Sequence, residues 1–208
     1  MNNIKIYILS LLREDRMNII NKNKKLFPQI EVIKSVNGYN KIETIDELIN
    51  LDIEFHKLDK YKSKSFNSYG TLANFITKVK IMKYQIDNNI PYICFIEDDL
   101  LLKPKFVRYI EYVKKKFLNK DVNMIRLARW GEGYITSLEG SKRILEHIKR
   151  TGIIRNIDNQ LRLNCGKEIR VIKTPWKLVV GTNNGDCLKT EILEKNFKEL
   201  VKKRKNEK

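Results

Sequence analysis

The chain has 208 residues, of which 42% are hydrophobic and 9% aromatic; this suits one sizeable globular core and excludes intrinsic disorder. Its formal net charge is +17, from 42 Lys+Arg against 25 Asp+Glu, which points to a polyanionic partner: nucleic acid, an anionic membrane face or a phosphorylated substrate. Three scattered cysteines without a CxxC pattern and two histidines not spaced as ligand partners disfavour a zinc site, and no apolar run reaches the ~18 residues of a membrane span.

The odd, sparse cysteine count fits a reducing compartment. No basic flank or small-residue cleavage site accompanies the apolar residues 4–12, so a cytoplasmic location is expected. Lysines are spread over nearly every segment, and much of the positive charge reads as compositional bias. The closing Lys202-Lys203-Arg204-Lys205 cluster reads as a frayed, solvated end.

Residues 4–12 alternate and then become wholly apolar, which predicts a first, central strand. A helix over 15–26 should follow, with Met17, Ile20 and the Lys24 stem facing a sheet, and Pro28 ends it. Residues 30–36 alternate again and predict a second strand, closed by the turn signal Asn37-Gly38. Strand, helix and strand make a βαβ unit, hence a parallel sheet. Residues 43–51 predict a helix and 59–68 a polar loop. Over 69–89, Leu72, Phe75, Ile76, Val79, Met82 and Ile86 recur at helical spacing, with Lys78, Lys80 and Lys83 between them.

Residues 91–102 are the most telling stretch. An apolar run opened by Pro91 ends in Glu97-Asp98-Asp99 and then becomes apolar again. The run predicts a buried strand with Cys94 as a small core residue. Three adjacent carboxylates at its end repel one another and resist desolvation; a divalent cation would offset both. The plainer reading is a solvated strand-to-turn junction. Pro104 then opens a helix with Phe106, Ile110, Val113 and Phe117 on one face. A strand is predicted over 123–128, then a loop around Trp130 leading to Tyr134-Ile135-Thr136. Ser137 caps a helix to about Arg150, with Leu138, Ile144, Leu145 and Ile148 inward and Gly152 as its stop. A helical turn at 157–161, strands at 169–172 and 178–180, a polar loop at 181–186 and a polar C-terminal helix complete the chain.

Three constellations carry chemistry. The first is the acidic cluster: two acids on a rigid strand end can hold Mg²⁺ or Mn²⁺, with phosphate oxygens completing the shell. In an extended strand Glu97 and Asp99 share a face; with a bend, Asp98 and Asp99 come together, and the sequence does not choose. The second is Arg13 and Arg16, placed to bind phosphate or orient a nucleotide base, or else to pair with Glu14 or Asp15 on the surface. The third is Asp158, a candidate general base for an acceptor hydroxyl, or a helix cap. No GxGxxG or GxxxxGK loop is present, which disfavours a dinucleotide fold or a P-loop NTPase.

The order of these motifs resembles glycosyltransferase family 25, the lipooligosaccharide and collagen-type galactosyltransferases. The resemblance runs from residue 4 to about 186. It is carried by Leu9-Ser10-Leu11-Leu12-Arg13-Glu14-Asp15-Arg16, Val36-Asn37-Gly38, Gly70-Thr71-Leu72-Ala73, Phe95-Ile96-Glu97-Asp98-Asp99, Gly133-Tyr134-Ile135-Thr136-Ser137, Ile157-Asp158-Asn159-Gln160-Leu161 and Thr174-Pro175-Trp176. Where the family pattern has Cys and Ser-His in its central helix, this chain has Asn74 and Thr77-Lys78.

The resemblance implies a GT-A-like α/β domain over 1–190, with a mostly parallel central sheet flanked by helices and a basic C-terminal helix or tail over 191–208. It implies a nucleotide-sugar donor, expected to be a UDP-sugar, and Mn²⁺ or Mg²⁺ on Asp98 and Asp99. Arg13, Arg16, Glu97 and Asp98 would lie on the nucleotide side. Asp158 would act on the acceptor hydroxyl of a glycan or glycoconjugate, with inversion. Glu97 could instead face inward and hold the strand end. The basic residues could meet an anionic membrane surface. Two alternatives remain: a degenerate transferase fold kept as a binding partner, and a basic nucleic-acid-binding module, for which no recognition motif is present.

Overall fold

A computed structural model describes residues 4–54, 68–117, 122–127, 132–154, 156–161, 169–173, 179–181 and 196–207. Strand β1 (Lys5–Ser10) is buried from Ile6 onward, and strands on both sides of it explain why it lacks a polar face. Helix α1 (Glu14–Leu26) follows, with acids in its first turn and lysines in its last, each favourable to the helix dipole. It leads to β2 (Glu31–Lys34). Helix α2 (Lys41–Asn50) is capped by Asn40, whose side chain accepts from the Glu43 amide. Helix α3 (Tyr69–Asp87) is capped in the same way by Ser68.

Strand β3 (Tyr92–Glu97) ends at the acids, and Asp98-Asp99 form a turn into β4 (Leu100–Leu102). Helix α4 (Phe106–Phe117), β5 (Met124–Arg126) and β6 (Gly133–Ser137) come next. Helix α5 (Leu138–Thr151) is capped by Ser137 and stopped by Gly152 at φ 67°. The short α6 (Ile157–Asn159), β7 (Val171–Lys173), β8 (Val179–Gly181) and α7 (Phe197–Asn206) complete the described elements.

The main sheet has the order β2-β1-β3-β6-β5-β7. All of its strands except β6 point the same way, because β6 pairs antiparallel with both β3 and β5. The mostly parallel α/β sheet expected from the sequence is therefore the observed one. Alternation along the strands divides the core into two layers. Tyr7, Leu9, Ile93, Phe95 and Tyr134 pack against α2, α3 and α5; Ile6, Ile8, Cys94, Ile96 and Ile135 pack against α1 and α4. Gly140 brings α5 against β5's lead-in so closely that a Cβ would stand 2.1 Å from the Asn123 carbonyl oxygen.

As the sequence reading has it, the strand ends at the acids; the turn at Asp98-Asp99 sends residues 100–102 to pair antiparallel with β8 in a separate two-stranded sheet. Three details differ from the sequence reading. Tyr134-Ile135-Thr136 is not a loop exit but the middle of the reversed strand β6. On α1, Lys24 is exposed and Asn23 is the buried residue. The Asn23 amide ties α1 to β4 by donating to the Leu100 carbonyl and accepting from the Leu102 amide. The basic C-terminal segment is a docked helix rather than a frayed end. Phe197 is buried with its ring 5.8 Å from that of Tyr69, and Arg204 makes two hydrogen bonds to Asp46 on α2. The loops carrying Trp130 and Trp176, residues 59–67 and 182–186, and Cys165 and Cys187 lie outside the described residues.

Candidate active site

The sheet order creates the site. From β1 the chain moves outward to β2, then returns to place β3 on the other side of β1. Open α/β sheets bind ligands at such a reversal, beyond the carboxyl ends of the strands. A cavity of about 660 Å³ opens there, within the usual range for small-molecule sites. Arg13, Arg16, Glu97, Asp98, Asp99 and Asp158 all line it. Residues drawn from β1's exit, α1, the β3 end and the α6 turn thus meet in one place.

Close backbone approach shapes one wall. A Cβ on Gly38 would stand 2.5 Å from Gly70 Cα and 2.8 Å from its amide nitrogen. The Asn37-Gly38 turn therefore rests directly on the first turn of α3, and glycine is required at that contact. At the end of β1, Leu12 adopts a left-handed backbone at φ 56°, uncommon for a branched residue. This sharp exit swings the chain into α1 and leaves the Leu12 amide donating to Ser10 Oγ at 2.9 Å. Ser10 Oγ in turn donates to Asp98 Oδ2 at 2.5 Å.

Lys78 forms the centre of the deeper half. It is 1% exposed, yet its ammonium lies 2.8 Å from Glu97 Oε1 and 3.2 Å from Asp158 Oδ1. The same oxygen of Glu97 accepts from the Asn74 amide at 2.9 Å. The same oxygen of Asp158 accepts from the Tyr134 hydroxyl at 2.6 Å. A buried charge without partners would be very costly; here one cation is shared by two anions, each with a second donor. Burial pulls the Lys78 ammonium toward neutrality, but the charges of Asp158 and Glu97 outweigh it and hold it protonated. Burial pushes Glu97 upward too, but Lys78, the Asn74 and Lys78 hydrogen bonds and the charge of Arg16 leave it below the usual carboxylate range. Asp158 goes the other way: burial and the charge of Glu97 raise it despite Lys78 and Tyr134.

Asp98 and Asp99 occupy the shallower half. Burial raises Asp98 in spite of its Ser10 hydrogen bond. Asp99 is pushed up to about 6 by burial and by the charges of Glu97, Asp98 and Glu132, against the pull of Arg16. Two consecutive carboxylates that resist ionisation in a cavity fit a divalent cation, whose charge would relieve both effects. Mg²⁺ and Mn²⁺ commonly take one or two carboxylates and complete their shell with substrate phosphates. Among the described residues no group of three or more His, Cys, Asp or Glu could hold a metal ion by itself. A cation on Asp98 and Asp99 would need oxygens from a ligand to complete its shell.

The two arginines differ. Arg13 is partly exposed and makes a two-point contact with Asp15, at 2.9 and 2.8 Å. Arg16 is 7% exposed, and its charge reaches Glu97, Asp98 and Asp99. Asp158 is not a helix cap; Asn156 caps α6 by accepting from the Asn159 amide. Sequence reasoning missed Lys78, Asn74, Tyr134 and Ser10 as parts of the site. The usable signal was the departure at Asn74 and Lys78, one helical turn apart on α3.

The sequence model of glycosyltransferase family 25 (LPS biosynthesis protein) matches residues 3–154. No curated protein sequence matches the chain. Among solved structures, a glycosyltransferase involved in the glycosylation of the major capsid of PBCV-1 is similar at 10% identity, covering 83% of this chain and 81% of that one, with a TM-score of 0.44. A cytidylyltransferase from Leptospira borgpetersenii serovar Hardjo-bovis (strain JB197) is similar at 14% identity, covering 87% and 83%, with a TM-score of 0.43. At such scores neither likeness carries an argument about function. No helix among the described residues is long and apolar enough to cross a membrane.

Proposed function

The chain belongs to glycosyltransferase family 25, and from that premise we propose that it moves a sugar from a nucleotide-sugar donor to a hydroxyl of a glycan or glycoconjugate, with a divalent cation on Asp98 and Asp99. One observation carries this reading. The cavity at the sheet reversal is lined by two adjacent carboxylates suited to a cation, by the buried Arg16 and by Asp158.

Asp98 and Asp99 would hold Mn²⁺ or Mg²⁺, which offsets the negative charge that develops on the departing pyrophosphate. Arg16 adds fixed positive charge on the same side, and Arg13 stands at the rim in contact with Asp15. Ser10 orients the Asp98 carboxylate by hydrogen bonding. Asp158 takes the proton of the acceptor hydroxyl. Its Oδ1 is occupied by Lys78 and Tyr134, and its Oδ2 receives neither bond. A general base also works best when its pKa lies nearer the working pH, the direction in which burial moves Asp158. Direct attack by the activated hydroxyl on the anomeric carbon gives inversion. A UDP-sugar is the expected donor.

The test is nucleoside diphosphate release from a panel of nucleotide sugars with Mn²⁺. The expected result is turnover that chelator abolishes and that Asp99→Ala lacks while keeping its circular dichroism spectrum. Undiminished turnover in excess chelator would remove the cation from the mechanism.

A further inference from the structure

We propose that Lys78 is a positioning residue for Asp158, acting from within the protein to keep that carboxylate anionic and fixed while Glu97 serves as its counterweight. The inference rests on the reading of Asp158 as the base. Its ground is geometric. A lysine in the third turn of α3 is almost fully buried beneath the cavity, and its ammonium touches both Glu97 on β3 and Asp158 on α6. Two carboxylates at this depth would oppose each other's ionisation, and one shared cation relieves both. Asn74 from the same helix holds Glu97, and Tyr134 from β6 holds Asp158.

Among the described residues, Lys78 is the cation that meets Asp158 directly. The described charges and titratable groups that act most on Asp158 are Lys78, Glu97 and Tyr134. Behind them, Arg16 acts on Glu97 and Arg126 acts on Tyr134. The Lys78 ammonium also lies 5.5 Å from the centre of the Tyr134 ring, so one face of the pair is closed by an aromatic that shields it from water. Apolar side chains of similar volume often stabilise a fold as well as a buried ion pair does. The pair's place at the cavity wall, with one Asp158 oxygen engaged by neither donor, fits a task in the reaction: setting the protonation and aim of the base.

The experiment combines two readouts on Lys78→Met, Lys78→Arg, Asp158→Asn and the double variants with Asp158→Asn. UDP release from UDP-galactose, UDP-glucose and UDP-N-acetylglucosamine with Mn²⁺ gives kcat and KM against pH. Carboxyl ¹³C NMR of the metal-free protein gives the titration of Asp158 directly. Lys78→Met should lower kcat on the neutral plateau by roughly tenfold or more through lost aim of the base, change the donor KM by less than about threefold, and move the acid limb and the Asp158 midpoint upward. Lys78→Arg should keep the midpoint close to wild type. In the Asp158→Asn background neither Lys78 substitution should slow turnover further.

An unchanged Asp158 midpoint in Lys78→Met, or equal losses in both backgrounds, would overturn the proposal. Should Lys78→Met fail to fold, Lys78→Gln takes its place in the same cycle and is read by the same two criteria. Full activity in Asp158→Asn alone would instead overturn the reading of Asp158 as the base.

Discussion

Asp158 is held by two donors on one oxygen and still displaced toward protonation by burial and by Glu97. A carboxyl whose folded pKa lies above its unfolded value binds more protons folded than unfolded between the two values. Stability then falls as pH rises through that window, so ionised Asp158 weakens the fold at neutral pH. Asp158→Asn should therefore lower kcat by a factor of about 10²–10⁴ while leaving Tm unchanged or raising it by about 2 °C, read by donor turnover and calorimetry. A drop in Tm would mean that the carboxylate serves the fold. Ser10 has the opposite character. Its hydroxyl accepts from Leu12 and donates to Asp98, so Ser10→Ala should cost roughly tenfold in apparent Mn²⁺ affinity, measured by activation curves.

At the scale of elements, two packing contacts bear weight. The Asn37-Gly38 turn lies on the start of α3 with no room for a methyl group. Gly38→Ala must displace backbone, and should destabilise by about 1–3 kcal/mol and weaken donor binding together, measured by urea unfolding and calorimetric titration. Helix α7 is anchored by Phe197 against Tyr69 and by Arg204 on Asp46. These anchors are unequal. Phe197→Ala should cost roughly 3 kcal/mol through the cavity it leaves, whereas Arg204→Ala, at a solvent-screened ion pair, should cost much less. If the arginine proves the larger loss, the helix is held by charge rather than by its buried ring.

Across the whole molecule, the parts of the fold written as apolar periodicity were readable. β1, α1, β2, α3, β3, α4 and α5 follow from it; the acids, the arginines and Asp158, which the family resemblance implied on one site, line one cavity. What escaped has physical reasons. Lys78 resembles Lys80 and Lys83 on paper, because a buried lysine and a solvated one carry the same letter; only the fold reveals which faces two carboxylates. Asn23 was passed over in favour of Lys24 for the same reason, since its burial depends on the backbone of β4. β6 was hidden because a reversed strand in a parallel sheet follows no βαβ rhythm. The break after Glu97 was legible because the apolar run stops at three acids; the pairing of residues 100–102 with β8 was not, because it depends on a distant segment.

The +17 charge and the clustered acids meet in one question: whether this cavity takes a nucleotide sugar together with a cation. Thermal unfolding with and without nucleotide sugars, in Mn²⁺ and in chelator, asks it directly, because a ligand that binds only the folded state stabilises it. At about 100 times Kd the gain is roughly 2.7 kcal/mol, which for a chain of this size is a rise of about 5–10 °C. The account predicts such a rise for at least one nucleotide sugar in Mn²⁺, with little in chelator and none for Asp99→Ala. No shift with any nucleotide sugar, or an equal shift in chelator, would contradict it.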